Sequence, residues 1–287
     1  MSARLLCLGD NVVDRYVDDG VMYPGGNALN VAVHARRLGI ETAYLGVTGA
    51  DAAGELVRSA LAAEGVEASR VEIVPGMTAY ADVRVVDGNR VFGHGDPGIS
   101  RFVLDEAQLT DAAGFDLVHT GDCSGVESQL PQLAVAARRL SFDFSEQPWP
   151  YVEGLAQHVD IAIVSLPSGA ESGALAFGRR VRDLGPSTVA VTGGASGAWL
   201  LTEESTSWAP AGTGPIVDTL GAGDAFIARL LAGLLRAEQP GDALTAATAY
   251  ASAACATYGA FGHPGAPITT LAPDLEQPRR AATPPRS

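Results

Sequence analysis

The chain has 287 residues, 47% hydrophobic and 18% charged, the ordinary balance of a soluble globular protein able to bury a sizeable core. Its formal net charge of −14 argues against nucleic acid as a partner, because phosphates need a basic face, and no stretch approaches the ~20 uninterrupted apolar residues of a membrane span. All 19 basic residues are arginines, which excludes a Walker-type phosphate loop with its GK[ST] lysine and any Schiff-base chemistry on a lysine amine.

The opening MSARLLCLGDNVVD holds an apolar run too short for a signal peptide and meets aspartates at once, so the cytoplasm is the expected compartment. Short β-rich runs predict strands at 5–9, 42–47, 117–120, 140–144, 161–165 and 188–192. Helical patterns fall between them at 27–38, 52–64, 127–140 and 173–184. The alternation implies right-handed βαβ units and an α/β fold, with a mostly parallel sheet covered on both faces. Ligands of such sheets bind outside the carboxyl ends of the strands. Two segments break the alternation: 14–24, short and polar, and 77–95, which reads as two strands around a turn at Asp87-Gly88. Together they form either a small sheet covering a cleft or a set of ordinary edge strands. From Leu220 the chain turns helical, with a break at Gln239-Pro240-Gly241. Residues 1–270 read as one domain, and the Pro-, Arg- and Ala-rich end at 271–287 as a loose tail. Cys7, Cys123 and Cys255 lie far apart and fit reduced thiols better than a disulfide framework or a metal site.

Four segments carry chemistry. In 218–226 (DTLGAGDAF), Gly221 and Gly223 open a long helical pattern, whose free N–H groups and dipole make an anion site. Asp224 in its first turn is odd for a pure phosphate binder, because like charges repel. It suits a group that accepts a proton while the amides stabilise a phosphoryl group, or it merely caps the helix. In Gly25-Gly26-Asn27-Ala28-Leu29-Asn30, glycines admit close backbone approach, and two asparagines three apart share a helical face suited to vicinal hydroxyls. Asp10 sits at the carboxyl end of the first strand, with Asp14 nearby; each is a ligand contact or a solvated loop charge. The glycine-rich turn at 192–197 (TGGASG) follows a core strand and is able to lie along a nucleotide, although a plain hairpin gives the same pattern.

The pair GGNALNVAVHARRLG and DTLGAGDAFIARLLAG resembles the two signatures of the PfkB/ribokinase family of carbohydrate kinases, in the family's order. The resemblance runs to about Gly262. It implies a three-layer α/β/α ribokinase-like domain with a small β-sheet lid, ATP with Mg²⁺ as donor, and transfer of the γ-phosphoryl group to a sugar-like alcohol. It also implies Asp224 as catalytic base and the Gly221, Ala222 and Gly223 amides as anion hole. Asp10, Asp14, Gly26, Asn27 and Asn30 match the sugar contacts, and Thr192, Gly194 and Gly197 the nucleotide loop. Asp218 falls near the monovalent-cation site of some members, which brings in K⁺. The runs GDNVVDRY, RVFG and FDFS are most similar to the fructoselysine 6-kinase branch, which implies a fructosamine acceptor phosphorylated on its 6-hydroxyl. Lids in the family can form dimer contacts, so a homodimer through the lid is a further expectation. Two departures stand out. Ser165-Leu166-Pro167-Ser168 occupies the place of an Asn-x-x-Glu motif in many relatives, which leaves the metal ligands unassigned, and HGDPGIS after the hairpin departs from the branch pattern.

Overall fold

The computed structural model describes residues 3–86 and 89–265. In chain order it runs β1 (Arg4–Leu8), β2 (Val12–Tyr16), β3 (Val21–Gly25), α1 (Asn27–Arg37), β4 (Glu41–Gly49), α2 (Ala52–Glu64), β5 (Glu67–Val74), β6 (Tyr80–Val86) and β7 (Asn89–Asp96). The second half runs α3 (Glu106–Ala112), β8 (Leu117–Gly121), α4 (Leu130–Ala136), β9 (Leu140–Asp143), α5 (Trp149–Leu155), β10 (Ile161–Ser165), α6 (Ala174–Arg182), β11 (Thr188–Thr192), β12 (Ala198–Leu201), β13 (Thr206–Ala209), α7 (Ala222–Leu235) and α8 (Pro240–Ala254).

Nine strands form one sheet in the order β13-β12-β11-β10-β9-β8-β1-β4-β5. From β11 to β5 every neighbouring pair is parallel, and β12 and β13 join antiparallel at one edge. Side chains alternate between faces along each strand, so each strand feeds two cores. Leu5 and Cys7 of β1 pack with α1, α2, α7 and α8, whereas Leu6 and Leu8 pack with α3, α4, α5 and α6. The result is the expected α/β/α sandwich. Each fully buried leucine of β1 contributes roughly 1.5–3 kcal/mol relative to exposure, which fixes the strand's height and hence the position of Asp10 just beyond it.

A second sheet, ordered β3-β2-β6-β7, contains the segments that broke the alternation. β2 pairs antiparallel with β3 and parallel with β6, and β6 pairs antiparallel with β7. Val13, Tyr16, Met22 and Val83 of this sheet join the core built on α1, α2, α7 and α8. On its outer strand β7, Val91 and Phe92 are exposed. The turn at Asp87-Gly88, the domain's last residues at 266–270 and the tail at 271–287 lie outside the described residues.

The six predicted strands all occur, within two residues of their expected bounds. The helix expected at 127–140 is shorter. A turn of 3-10 helix at Glu127–Gln129 leads into α4 with Pro131 near its start, and Ala137 turns extended at ψ 148 so that the chain can enter β9. β5 and β13 had no sequence counterpart. Both are edge strands, and neither the charged, half-exposed β5 nor the short TSWA of β13 carries a clean apolar alternation.

Candidate active site

α7 begins at Gly221, whose φ of 72 is in the left-handed region, and a Cβ there would stand 2.6 Å from the Cβ of Ala260. Only glycine suits both constraints. Ala222, Gly223 and Asp224 form the first turn, where N–H groups have no intrahelical acceptor. The Ala222 N–H reaches back to the Thr219 carbonyl at 3.3 Å, a long bond that an incoming anion could replace.

Opposite this turn, α1 starts directly after Gly26, where a Cβ would meet the Asp10 carbonyl oxygen at 2.8 Å. The first turn of α1 therefore lies on the end of β1. The Asp10 carboxylate accepts the N–H groups of Asn27 (2.9 Å) and Ala28 (3.2 Å), so Asp10 anchors the helix that carries both asparagines. Those asparagines grip Asp224. Asn27 Nδ2 donates to Asp224 Oδ1 at 2.9 Å, and Asn30 Nδ2 donates to Oδ2 at 2.7 Å. The second Asn27 Nδ2 hydrogen goes to Asp143 Oδ2 at 2.8 Å. The Oδ1 atoms of Asn27 and Asn30 are buried without a donor, and hydroxyl groups are donors.

Electrostatics follow from this crowding. Solvent reaches part of Asp224, yet protein surrounds its carboxyl densely, and burial first, then the negative Asp143 and Asp10, push its pKa up to about 8 against the pull of the Asn30 and Asn27 amides. Asp143 rises to about 7, chiefly through burial and then through Asp122 and Asp10, opposed by the Ser145 N–H and the Asn27 amide. Burial also raises Asp10. The charged neighbours acting on Asp143 and Asp224 are thus carboxylates.

Asp14 lies on β2 of the small sheet, 4% exposed, with its carboxylate where a side chain on Gly25 would stand. Asp218 is 1% exposed and held by the chain around it. Its Oδ1 accepts the Leu220 N–H (2.9 Å) and its Oδ2 the Gly259 N–H (3.0 Å) and the hydroxyl of Tyr16. That last bond ties the small sheet to the loop in front of α7. His34, one turn beyond Asn30, is pushed down to about 4 by burial and is neutral. Its Nε2–H donates to the Ala260 carbonyl (3.0 Å) and its Nδ1 accepts from Tyr250 (3.1 Å), which fixes Ala260 against Gly221.

From the first turn of α7 a cleft of about 580 Å³ runs along the ends of β10 and β11. Thr192, Gly194, Gly197, Ala222 and Gly223 all line it, as do Ser165, Leu166 and Ser168 of the segment replacing Asn-x-x-Glu. Phe226, Ala251 and Cys255 give it an apolar side, and its size is within the range of small-molecule sites. Glu146 stands on its wall. Among the described residues no group of three or more His, Cys, Asp or Glu forms a metal cage. A Mg²⁺ that arrives on phosphates needs only one or two carboxylates, and Glu146 fits that demand.

Sequence reasoning missed Asp143, Asp122 and Glu146. Asp143 ends β9 as Asp10 follows β1, so the rule that singled out Asp10 applies equally to it.

Over residues 4–264 the sequence matches the pfkB family carbohydrate kinase profile. The chain belongs to the pfkB family. This carbohydrate kinase is 36% identical to the fructosamine kinase FrlD of Bacillus subtilis (strain 168), over 91% of this chain and 93% of that one. It is 35% identical to the fructoselysine 6-kinase of Escherichia coli (strain K12), over 90% of this chain and 99% of that one. The Arabidopsis thaliana ribokinase solved with ribose and ATP shares the fold, with a TM-score of 0.80 at 22% identity, over 92% of this chain and 96% of that one. Within the family, the sheets, the α7 turn and the cleft are the frame of a sugar kinase. Among the described residues no helix is long and apolar enough to cross a membrane.

Proposed function

We propose that this kinase transfers the γ-phosphoryl group of ATP to the 6-hydroxyl of a fructosamine such as fructoselysine, with Asp224 as the base. One observation carries the reading: the Asp224 carboxylate stands at the first turn of α7, held by Asn27 and Asn30 and next in the chain to Gly223, which lines the cleft. Asp224 takes the O6 proton as O6 bonds to the γ-phosphorus, the bond from that phosphorus to the bridging oxygen breaks, and ADP leaves. Asp10, Asp14, Gly26, Asn27 and Asn30 surround the sugar, while Thr192, Gly194 and Gly197 lie along the nucleotide. The Gly221, Ala222 and Gly223 amides face the transferring group, with the positive end of the helix dipole behind them. Glu146, on the cleft wall, would hold a Mg²⁺ that supplies neutralisation of phosphate charge when bound.

The amine of a fructosamine is a cation, and the groups around the acceptor site are carboxylates: Asp10, Asp14, Asp122 and Asp143. That balance favours a fructosamine over fructose, and disfavours a keto-deoxy sugar acid, which adds another anion. The free thiols suit the cytoplasm, where ATP is held, and the exposed Val91 and Phe92 on β7 suit a second copy of the chain. A coupled ADP assay across fructoselysine, other fructosamines, fructose, ribose and adenosine tests the substrate. We expect kcat/KM highest for fructosamines. A higher value for fructose, ribose or adenosine overturns the assignment.

A further inference from the structure

Two carboxylates, the buried Asp143 and the partly exposed Asp224, share one amide NH₂ group. Asn27 Nδ2 has two hydrogens, and each goes to a different acid, at 2.8 and 2.9 Å. Two acceptors can be met only by the NH₂ end of the amide, so the pair sets which way Asn27 faces. Its Oδ1 then turns toward Gly121 at the end of β8, where a Cβ would lie 2.5 Å from that oxygen and 3.3 Å from the Asp143 Cβ. Gly121 has ordinary extended backbone (φ −154), so glycine is needed there for space rather than conformation. Asp143 is itself held in place. Its Oδ1 accepts the Ser145 N–H at 2.9 Å, and Ser145 sits at φ 48, in the left-handed region that L-residues avoid. Asp122 keeps Ser145 there by accepting its hydroxyl at 3.0 Å and the Gln147 amide at 2.8 Å.

We propose that Asp143 is a positioning residue for the base: with Gly121 it locks the Asn27 amide onto Asp224, so that both carboxylates and the amide act as one unit. Asp143 does not take the substrate proton; it acts through Asn27 and through its charge. The inference rests on the reading of Asp224 as the base. Charged groups facing Asp224 are Asp143 from β9 and Asp10 from just beyond β1, with the neutral amides of Asn27 and Asn30 from α1. Asp143 in turn faces Asp122, Asp10 and the Cys123 thiol.

Two substitutions separate charge from geometry. Asp143→Asn removes a like charge that outweighs the Asn27 hydrogen bond, so proton release from Asp224 moves to lower pH. Gly121→Ala keeps every charge but pushes the amide aside, so proton release from Asp224 moves to higher pH. The test is a ¹³C-carboxyl NMR titration of Asp224 in the full chain, assigned by its absence in Asp224→Asn, alongside kcat measured with fructoselysine and ATP. We expect shifts of opposite sign, about 1 pH unit for Asp143→Asn, with the plateau kcat, read at pH above the acid limb, reduced in both variants. A purely structural role lowers thermal stability without opposed shifts. Unchanged titration of Asp224 in Gly121→Ala, or in a folded Asp143→Asn, overturns the proposal. Wild-type turnover by Asp224→Asn refutes the base reading instead, and the NMR shifts report on Asp143 independently of that result.

Discussion

The two halves of the site are built on opposite principles. The cleft proposed for the nucleotide is lined mostly by glycine, alanine, serine and threonine, at the ends of β10 and β11 and the start of α7. The side proposed for the acceptor is made of acids and amides, with Asp10, Asp143 and Asp224 joined through Asn27. A backbone cradle demands space and little else, so it tolerates sequence change wherever a Cβ has room. A buried acid network is demanding, because each group sets the charge and orientation of the next. It is also costly. Asp143 and Asp224 hold their protons more tightly folded than unfolded, so their contribution to stability is present at low pH and is lost as pH rises through about 7 and 8.

Substitutions on each side sharpen this contrast. The largest effect is expected from Asp224→Asn, which keeps shape and most of the contact with Asn27 and Asn30 while removing the proton acceptor. Turnover should fall by ~10²-fold or more, with ADP binding by calorimetry unchanged; near-normal turnover breaks the contrast. The smallest is expected from Gly194→Ala in the cleft. A Cβ there meets nothing within 4 Å, although φ is 55, so the cost is the ~1–2 kcal/mol of a left-handed L-residue. KM for ATP should rise by no more than several-fold with kcat unchanged. If Gly194→Ala loses turnover as Asp224→Asn does, the cleft is not the tolerant half.

Much of this was legible in the sequence, and unevenly so. Alternating apolar runs gave the central sheet, since burial on both faces leaves a clear signature in β1, β8, β10 and β11. Edge strands β5 and β13, half in solvent, left none. Gly221 and Asp224 stood out because glycine before a helix and an acid at its anion site are each unusual. Asp143 did not, because the strand-end rule marks it no more than any other aspartate there, and its partner Asn27 is 116 residues away. Asp218 holds a link that the motif alone does not show: through Tyr16, Leu220 and Gly259 it joins the small sheet to the site.

The central claim is that a crowded, proton-holding Asp224 is the group whose ionisation licenses transfer. The pH dependence of kcat/KM with fructoselysine and ATP tests it most directly. Only the ionised carboxylate can accept the O6 proton, so activity should rise with pH. The acid limb should lie well above the ordinary carboxylate value near 4, toward the 8 set by burial and by Asp143 and Asp10, and should vanish from the residual rate of Asp224→Asn. A limb near 4, or one that survives in Asp224→Asn, would contradict the account.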